Sequence, residues 1–478
     1  MEINITKVLY RIVPVVLAII WVKPLAACLV QSDADHQSVR EQTRDDSARD
    51  IQELKKEIED LRQEVATLRR SAYLRSTTAA APQFVNLVQT LPASALGDVP
   101  VQDTAPAQNA APASTASSGP TLSGLLGPTS LSGFVDGYYQ QNFQNPTTRT
   151  SSLHSFDTFT NQFGLNLIEL VVDKTPTAEN SRTGYHVALG YGQAINAINA
   201  TDPGGLGFSQ YLKEGYFSYL APVGKGLQVD FGKFVTPAGA EVIETKDNWN
   251  YTRGLLFNFA IPFFHYGLRA KYTFNDKYSL TGLVVNGWNN IVDNNTGKTG
   301  GLSFGWNPTK KVAVTETYIV GPEGNNNNND LRQLTDTVVT YSPTAKLSFM
   351  TNYDYARGDR ITPTTRPVFW SAVAGYAKYA FTSSYAVATR YEHYDDHNGF
   401  TTGIPATATT PFIPTPQSLN GVTGTFEHII AGHIISRFEY RRDMSTRPTF
   451  FRGLTPVKSQ NILTGGLVFV FDSKEKSN

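Results

Sequence analysis

His393-Tyr394-Asp395-Asp396-His397 places two imidazoles and two carboxylates within five residues, the groups that a metal site or an Asp-assisted base would use. This local cluster has no second partner at ligand spacing, and neither a serine-centred nor a zinc-hydrolase motif occurs. It reads as solvated loop residues, so the sequence predicts no enzyme, no catalytic residue, no metal and no cofactor. Charges spaced at two carry a different chemistry. Arg437, Glu439 and Arg441 fall on one side of an extended chain, with Phe438 and Tyr440 on the other. In the same way His265, Gly267, Arg269 and Lys271 oppose Tyr266, Leu268, Ala270 and Tyr272. A sheet of such segments has one face for water and ions and one for hydrocarbon.

About sixteen of these segments run from 131–143 to 460–471. Tight connections (222–226, 275–277, 307–310, 342–345, 382–384 and 431–432) alternate with long polar ones (144–160, 235–262, 289–299, 395–420 and 444–459). Asn325 to Asn329 reads as a flexible loop tip. A bilayer offers no water to unpaired amides, so a sheet crosses it only as a closed cylinder with turns on one rim and loops on the other. The fold class predicted for 131–478 is therefore all-β, a closed antiparallel transmembrane β-barrel of about sixteen strands. A soluble β-sandwich would not need loop lengths sorted by parity. One strand, 161–172, fits badly: Glu169 shares a face with Phe163, Leu165 and Leu167 unless a bulge shifts the phase. The connection after it, 173–181, is long for the side where turns are tight.

Composition agrees. The chain is 40% apolar and 12% aromatic with a mean hydropathy of −0.26, and no lipid-soluble run after residue 30 could form a membrane helix. Lys plus Arg equals Asp plus Glu at 41 each, so there is no basic field for nucleic acid. The one thiol, Cys28, rules out an intrachain disulfide.

Three segments precede the barrel. Lys7 and Arg11, an apolar stretch over 12–22 and Leu25-Ala26-Ala27 form a secretory signal over 1–27. Leu25-Ala26-Ala27-Cys28 also resembles a lipobox, which would make Cys28 an acylated N-terminus; Lys23 speaks for an ordinary cleavage site instead. Over 48–70, Ile51, Leu54, Ile58, Leu61, Val65 and Leu68 alternate spacings of three and four, the seam of a coiled coil. Its g positions are Asp50, Glu57 and Glu64, and the e positions five residues later are Lys55, Arg62 and Arg69, so parallel self-association is favoured. The alternative is a single amphipathic helix lying on a surface. β-branched a and Leu d positions lean towards two strands, although an attached trimeric barrel could override so short a coil. Residues 71–130, rich in Ala, Pro, Ser and Thr, read as a disordered spacer.

Gly133-Phe134-Val135-Asp136-Gly137-Tyr138-Tyr139, the run Tyr219-Leu220-Ala221-Pro222-Val223-Gly224 leading to Asp230-Phe231-Gly232-Lys233-Phe234-Val235-Thr236-Pro237-Ala238-Gly239-Ala240-Glu241, and Asp247-Asn248-Trp249-Asn250-Tyr251 resemble the OmpL-like beta-barrel porins (beta-barrel porin 2) of bacterial outer membranes. The resemblance covers the barrel, not the coiled coil or spacer. It implies an outer-membrane pore with a periplasmic N-terminal region, surrounded by lipid and lipopolysaccharide, and by analogy with porins a homotrimer. It adds no catalytic residue. Physically, Asp136, Glu214, Asp230, Arg269, Lys271, Lys378, Arg390, Glu392, Arg437, Glu439 and Arg441 form a mixed-charge lining suited to small hydrophilic solutes. The longest loop, 235–262, corresponds to the one that narrows general porins. Its Glu241, Glu244 and Asp247 could face Arg390, Arg437 and Arg441 and set a transverse field, or the loop could be solvated outside. A rival function is envelope tethering through the coiled coil, with permeation incidental.

A peptide of residues 48–70 is expected to show helicity that rises with concentration in circular dichroism, and Leu61→Asp to remove that dependence.

Overall fold

A sheet in hydrocarbon has two costly edges unless its first and last strands meet. In this computed structural model, which describes residues 127, 129–361, 366–404 and 412–473, they do. Strand β1 (Ser130–Asn142) pairs antiparallel with β18 (Ser459–Asp472), Ser132 opposite Asp472 and Asn142 opposite Ile462. Between them, in chain order, lie β2 (Gln162–Lys174), β3 (Thr183–Tyr191), β4 (Leu212–Ala221), β5 (Leu227–Val235), β6 (Phe264–Thr273), β7 (Tyr278–Val285) and β8 (Thr299–Thr309). Then follow β9 (Val312–Gly324), β10 (Asn327–Tyr341), β11 (Leu347–Arg357), β12 (Phe369–Ala380), β13 (Tyr385–Asp396), β14 (Gln417–Ile430) and β15 (Ile434–Ser445). A small hairpin of β16 (Phe450–Arg452) and β17 (Thr455–Val457) stands apart from the sheet. The sixteen barrel strands pair only with their neighbours, which is the up-and-down closure predicted from the turn parity.

The two faces sort as the period-two pattern requires. On β15, Phe438 and Tyr440 are exposed outward while Arg437, Glu439 and Arg441 are buried inside. Outward rings pair across strands, Tyr139 with Phe163 at 5.0 Å and Phe217 with Phe231 at 5.5 Å between centroids, as the aromatic girdles of a membrane barrel do. The strand that would not sort contains the bulge. Asp136 faces Leu167 but Gly137 faces Leu165, so Asn166 is the extra residue. Phe163 and Leu165 point out before it; Leu167 and Glu169 point in after it. Gly192 turns the chain inward beside the bulge with φ +132, where a Cβ would lie 2.5 Å from the Asn166 carbonyl oxygen.

One turn prediction needs correction. Asn325 to Asn329 is not a loop tip: β9 and β10 continue to a two-residue turn at 325–326, with Asn326 at φ 53, a conformation Asn tolerates. The extension is held because the Asn328 side-chain oxygen accepts the Thr296 and Gly297 amides.

The lumen holds a hydrophobic cluster built by loops against the wall. Helix α1 (Gln193–Asn199), followed by the single turn α2 (Leu206–Ser209), contributes Ile195 and Ile198; α3 (Leu255–Phe259) contributes Leu255, Leu256 and Phe257. These pack with Phe134 and Tyr138 of β1 and Trp370 of β12.

Deleting Asn166 restores strict alternation and turns one half of β2 to the wrong face. The expected result is loss of the compact, heat-modifiable band on unheated gels.

A loop anchored inside the barrel

The segment 236–263 carries Leu255, Leu256, Phe257, Phe259, Ile261 and Phe263 at its end and runs into Phe264 of β6, an apolar run that water on an outer rim would not favour. It folds into the lumen, where its backbone groups must find partners. Three arginines on the wall supply donors. Arg390 of β13 donates to the Thr252 carbonyl at 2.7 Å and to Glu241 Oε1 at 2.6 Å. Arg437 of β15 donates to the carbonyls of Thr245 (2.5 Å), Asn248 (2.6 Å) and Asn250 (3.3 Å). Arg441 donates to the Arg253 carbonyl at 2.6 Å.

Acids on the wall take the loop's donors. Glu439 accepts the amides of Tyr251 and Thr252, Glu392 accepts that of Leu255, and Asp336 accepts that of Gly239. Asp136 on β1 accepts the Tyr251 hydroxyl at 2.7 Å and the Thr245 hydroxyl at 2.5 Å. Each arginine also keeps an acid neighbour: Arg390 with Glu392 (2.8 Å), Arg437 with Glu427 (2.7 Å), Arg441 with Asp443 (2.8 Å). Buried charges are thus paired and used twice, once with each other and once on the loop backbone.

The predicted site residues therefore divide. Asp136, Arg390, Glu392, Arg437, Glu439 and Arg441 all converge on the loop. Arg269 and Lys271 stand on β6, where Arg269 pairs with Asp230 (2.8 Å) above the Phe234 ring and Lys271 is exposed. The three loop acids do not confront the arginine wall across a gap. Glu241 touches Arg390 directly, Glu244 bonds Lys213, and Asp247 is exposed beside Lys246 at 2.6 Å. The reason is that a dry contact satisfies buried charges better than a facing pair at a distance. Lys213 also holds Glu169 at 2.8 Å, a link that depends on the bulge and was invisible in the strand pattern. In the His393 cluster, strand alternation splits the groups: His393 bonds Asn420 and Asp395 bonds Ser418 outside, while Asp396 inside accepts the amides of Phe400, Thr401 and Thr402. The coiled-coil seam from Ile51 to Leu68, and Cys28, lie outside the described residues.

A second loop, 143–161, is docked by His154, which bridges Asp157 (2.6 Å) and Asp443 (3.3 Å). Burial and the Arg441 guanidinium oppose protonation of His154, but the two carboxylates outweigh them and raise its pKa above the ordinary 6.5. Burial likewise opposes ionisation of Asp157, yet the His154 ring and Arg441 hold its carboxyl well below the usual carboxylate range. Sequence spacing gave no signal for this bridge beyond the i, i+3 pair itself.

A closed sixteen-stranded barrel with an apolar outside, a charged inside and a loop tied into its lumen defines a porin-type membrane protein. The chain belongs to the family described as "Putative beta-barrel porin-2, OmpL-like", which matches residues 128–471. Among solved structures it is similar to an anion-selective porin from Comamonas acidovorans (8% identity, 72% of this chain and 99% of that one, TM-score 0.49). It is also similar to the outer membrane channel DcaP of Acinetobacter baumannii (12% identity, 72% and 97%, TM-score 0.46). OmpT of Vibrio cholerae gives the same figures, 12% identity, 72% and 97%, TM-score 0.46. No curated protein matches the chain.

Two outcomes follow from the anchoring. Glu241→Ala leaves Arg390 without its loop partner and is expected to weaken loop docking by about 3 kcal/mol, read as faster tryptic cleavage at Lys246 and Arg253. For loop 143–161, a raised histidine pKa stabilises the docked form fully below pH 6.5 and the contribution is lost as pH rises through the folded value. The lowered Asp157 contributes fully above its ordinary 3.8 and fades only as pH falls through its own folded value. Protection of 143–161 against hydrogen exchange, taken relative to the intrinsic rate at each pH, should therefore fall towards alkaline pH, and His154→Gln should flatten that dependence.

Proposed function

We propose that this protein is a porin of the bacterial outer membrane, through which small hydrophilic solutes diffuse passively, and that segment 236–263 sets the width of its channel. The observation that carries the reading is the anchoring of that segment inside the lumen by Arg390, Arg437 and Arg441. A pore that must exclude large molecules needs a rigid constriction, and a loop held by charged hydrogen bonds at both its carbonyls and its amides is rigid. In this reading Glu241 is an anchor and Glu244 a link to the opposite wall. Asp247 and, on β6, Lys271 are the charges that solutes meet, since both are exposed. Neither the reading nor the fold calls for a cofactor or a catalytic group. The heptads over 48–70 favour a second, compatible role in which the N-terminal region associates in the periplasm and ties the barrel to the envelope.

Reconstitution of the purified chain in planar bilayers is expected to give discrete conductance steps. Asp247→Asn should shift ion preference towards anions and Lys271→Ala towards cations, each without large change in step size. Glu241→Gln with Arg390→Met, which loosens the loop, should change step size and raise current noise. Absence of conductance from the folded barrel would overturn the porin reading.

A further inference from the structure

The wall groups that hold the inward loop are balanced in one of two ways. Arg390, Arg437 and Arg441 each keep an acid neighbour, while Glu439 and Asp136 take donors from the loop on both carboxylate oxygens. The far end of the loop's first arm is held differently. Segment 236–240 leaves β5 at Val235 and reaches β10 and β11, with four strands of the wall between β5 and β10, so it crosses the lumen. There the Gly239 amide donates to Asp336 Oδ1 and the Ala240 amide to the Asn352 side-chain oxygen, both at 3.0 Å.

Asp336 stands directly opposite Asp354 in the β10–β11 pairing, both are fully buried, and their carboxyls lie within hydrogen-bonding reach of each other. Neither makes an ion pair among the described residues, and no third metal-ligating side chain joins them there. Asp336 Oδ2 accepts from Asn352 Nδ2 at 2.7 Å. Asp354 Oδ1 shares that same donor at 3.3 Å, and Asp354 Oδ2 has no partner at all. The neighbouring strands do not help: Thr317, opposite Asp336 on β9, gives its hydroxyl to Ser303, and Ala372, opposite Asp354 on β12, has none to give. The other titratable groups nearby are Tyr376 of β12, Tyr394 of β13, whose hydroxyl is bonded to Thr401 and the Phe259 carbonyl, and Glu241 and Glu392, both paired with Arg390. None of them gives Asp354 a donor.

Two carboxylates in dry contact, with no cation between them, do not both ionise. We propose that Asp336 and Asp354 hold one proton between them, carried on Asp354 and donated to Asp336, and that this proton latches the arm 236–240 across the lumen. It supplies the hydrogen that the free Asp354 oxygen lacks. A hydrated ion does not fit in its place, because the gap lined by Gly239, Ala240, Glu241, Asn352 and Tyr376 is too tight for a water molecule. With the proton present, Asp336 carries a single charge spread over good donors, the Gly239 amide among them. Once the proton passes to bulk water, two adjacent charges compete for one Asn352 amide and repel, and the arm lifts so that water can reach them. The latch stands on the docked arm alone; that its release changes what passes rests on the porin reading.

Hydrogen exchange of the full chain, read at Gly239 and Ala240 relative to the intrinsic rate at each pH, tests the latch directly. Protection is expected to be flat at low pH and then to fall by about tenfold per pH unit towards alkaline pH, the slope of one proton released per opening. Asp354→Asn, whose amide still donates to Asp336, should keep the arm docked and flatten that dependence. It should leave the pH dependence of segment 143–161, which His154 sets, as it was. An infrared carbonyl band of a protonated carboxyl should be present in the unsubstituted chain at neutral pH and be lost in Asp354→Asn. If Asp354→Asn fails to fold, Asp336→Asn, which also leaves a single carboxyl, serves the same purpose. In planar bilayers the conductance step should grow over the same alkaline range, and not in Asp354→Asn. Protection that follows this slope in a barrel without conductance leaves the latch standing and removes the porin reading instead. Protection at Gly239 and Ala240 indifferent to pH, the same slope in Asp354→Asn, or no carboxyl band lost with the substitution would each overturn the proposal.

Discussion

An amide left unpaired in hydrocarbon costs several kcal/mol, and the whole molecule is arranged around that penalty. It forces β1 to find β18 across most of the chain, and with that pairing the sheet acquires an inside and an outside. Every strand then reads its residues out alternately to lipid and to lumen, so side-chain period and topology become one constraint. The bulge at Asn166 shows how closely the two are bound. A single extra residue is what allows Phe163 and Glu169, on the same face by count, to reach the environments their chemistry needs.

The same demand governs the lumen. A loop that enters it brings carbonyls and amides out of bulk water, and the wall answers with guanidinium groups for the former and carboxylates for the latter. Arginine suits this work better than lysine. Its planar fork lets Arg437 bond Glu427 and three loop carbonyls together, which a point charge could not orient. Charged residues that looked like a solvated lining are therefore largely the fastening of the loop. Asp247 and Lys271 are among the charges that stay exposed.

Much of this was legible in residue order. Strand number, turn parity, the phase problem in β2 and the inward charges of β6 and β15 follow from local periodicity, which a strand imposes whatever its partners. The inward course of 236–263 had a local signal too, the apolar run ending at Phe264. Less legible were the pairings. Glu241 meets Arg390 from 149 residues away and Tyr251 meets Glu439 from 188; Lys213 joins Glu169 only because Asn166 is bulged. No spacing rule reaches so far. The run from Asn325 to Asn329 misled because Asn favours both loops and tight hairpin turns, and composition cannot say which.

By itself, then, the sequence determined that the chain forms a closed barrel, which faces its strands present and where its longest loop lies, because these rest on period, parity and the absence of water in a bilayer. Only the tertiary structure decided which charges are spent on anchoring and which stay exposed. That choice is made by dry contacts between distant strands and one loop, and such contacts exist only after the cylinder has closed.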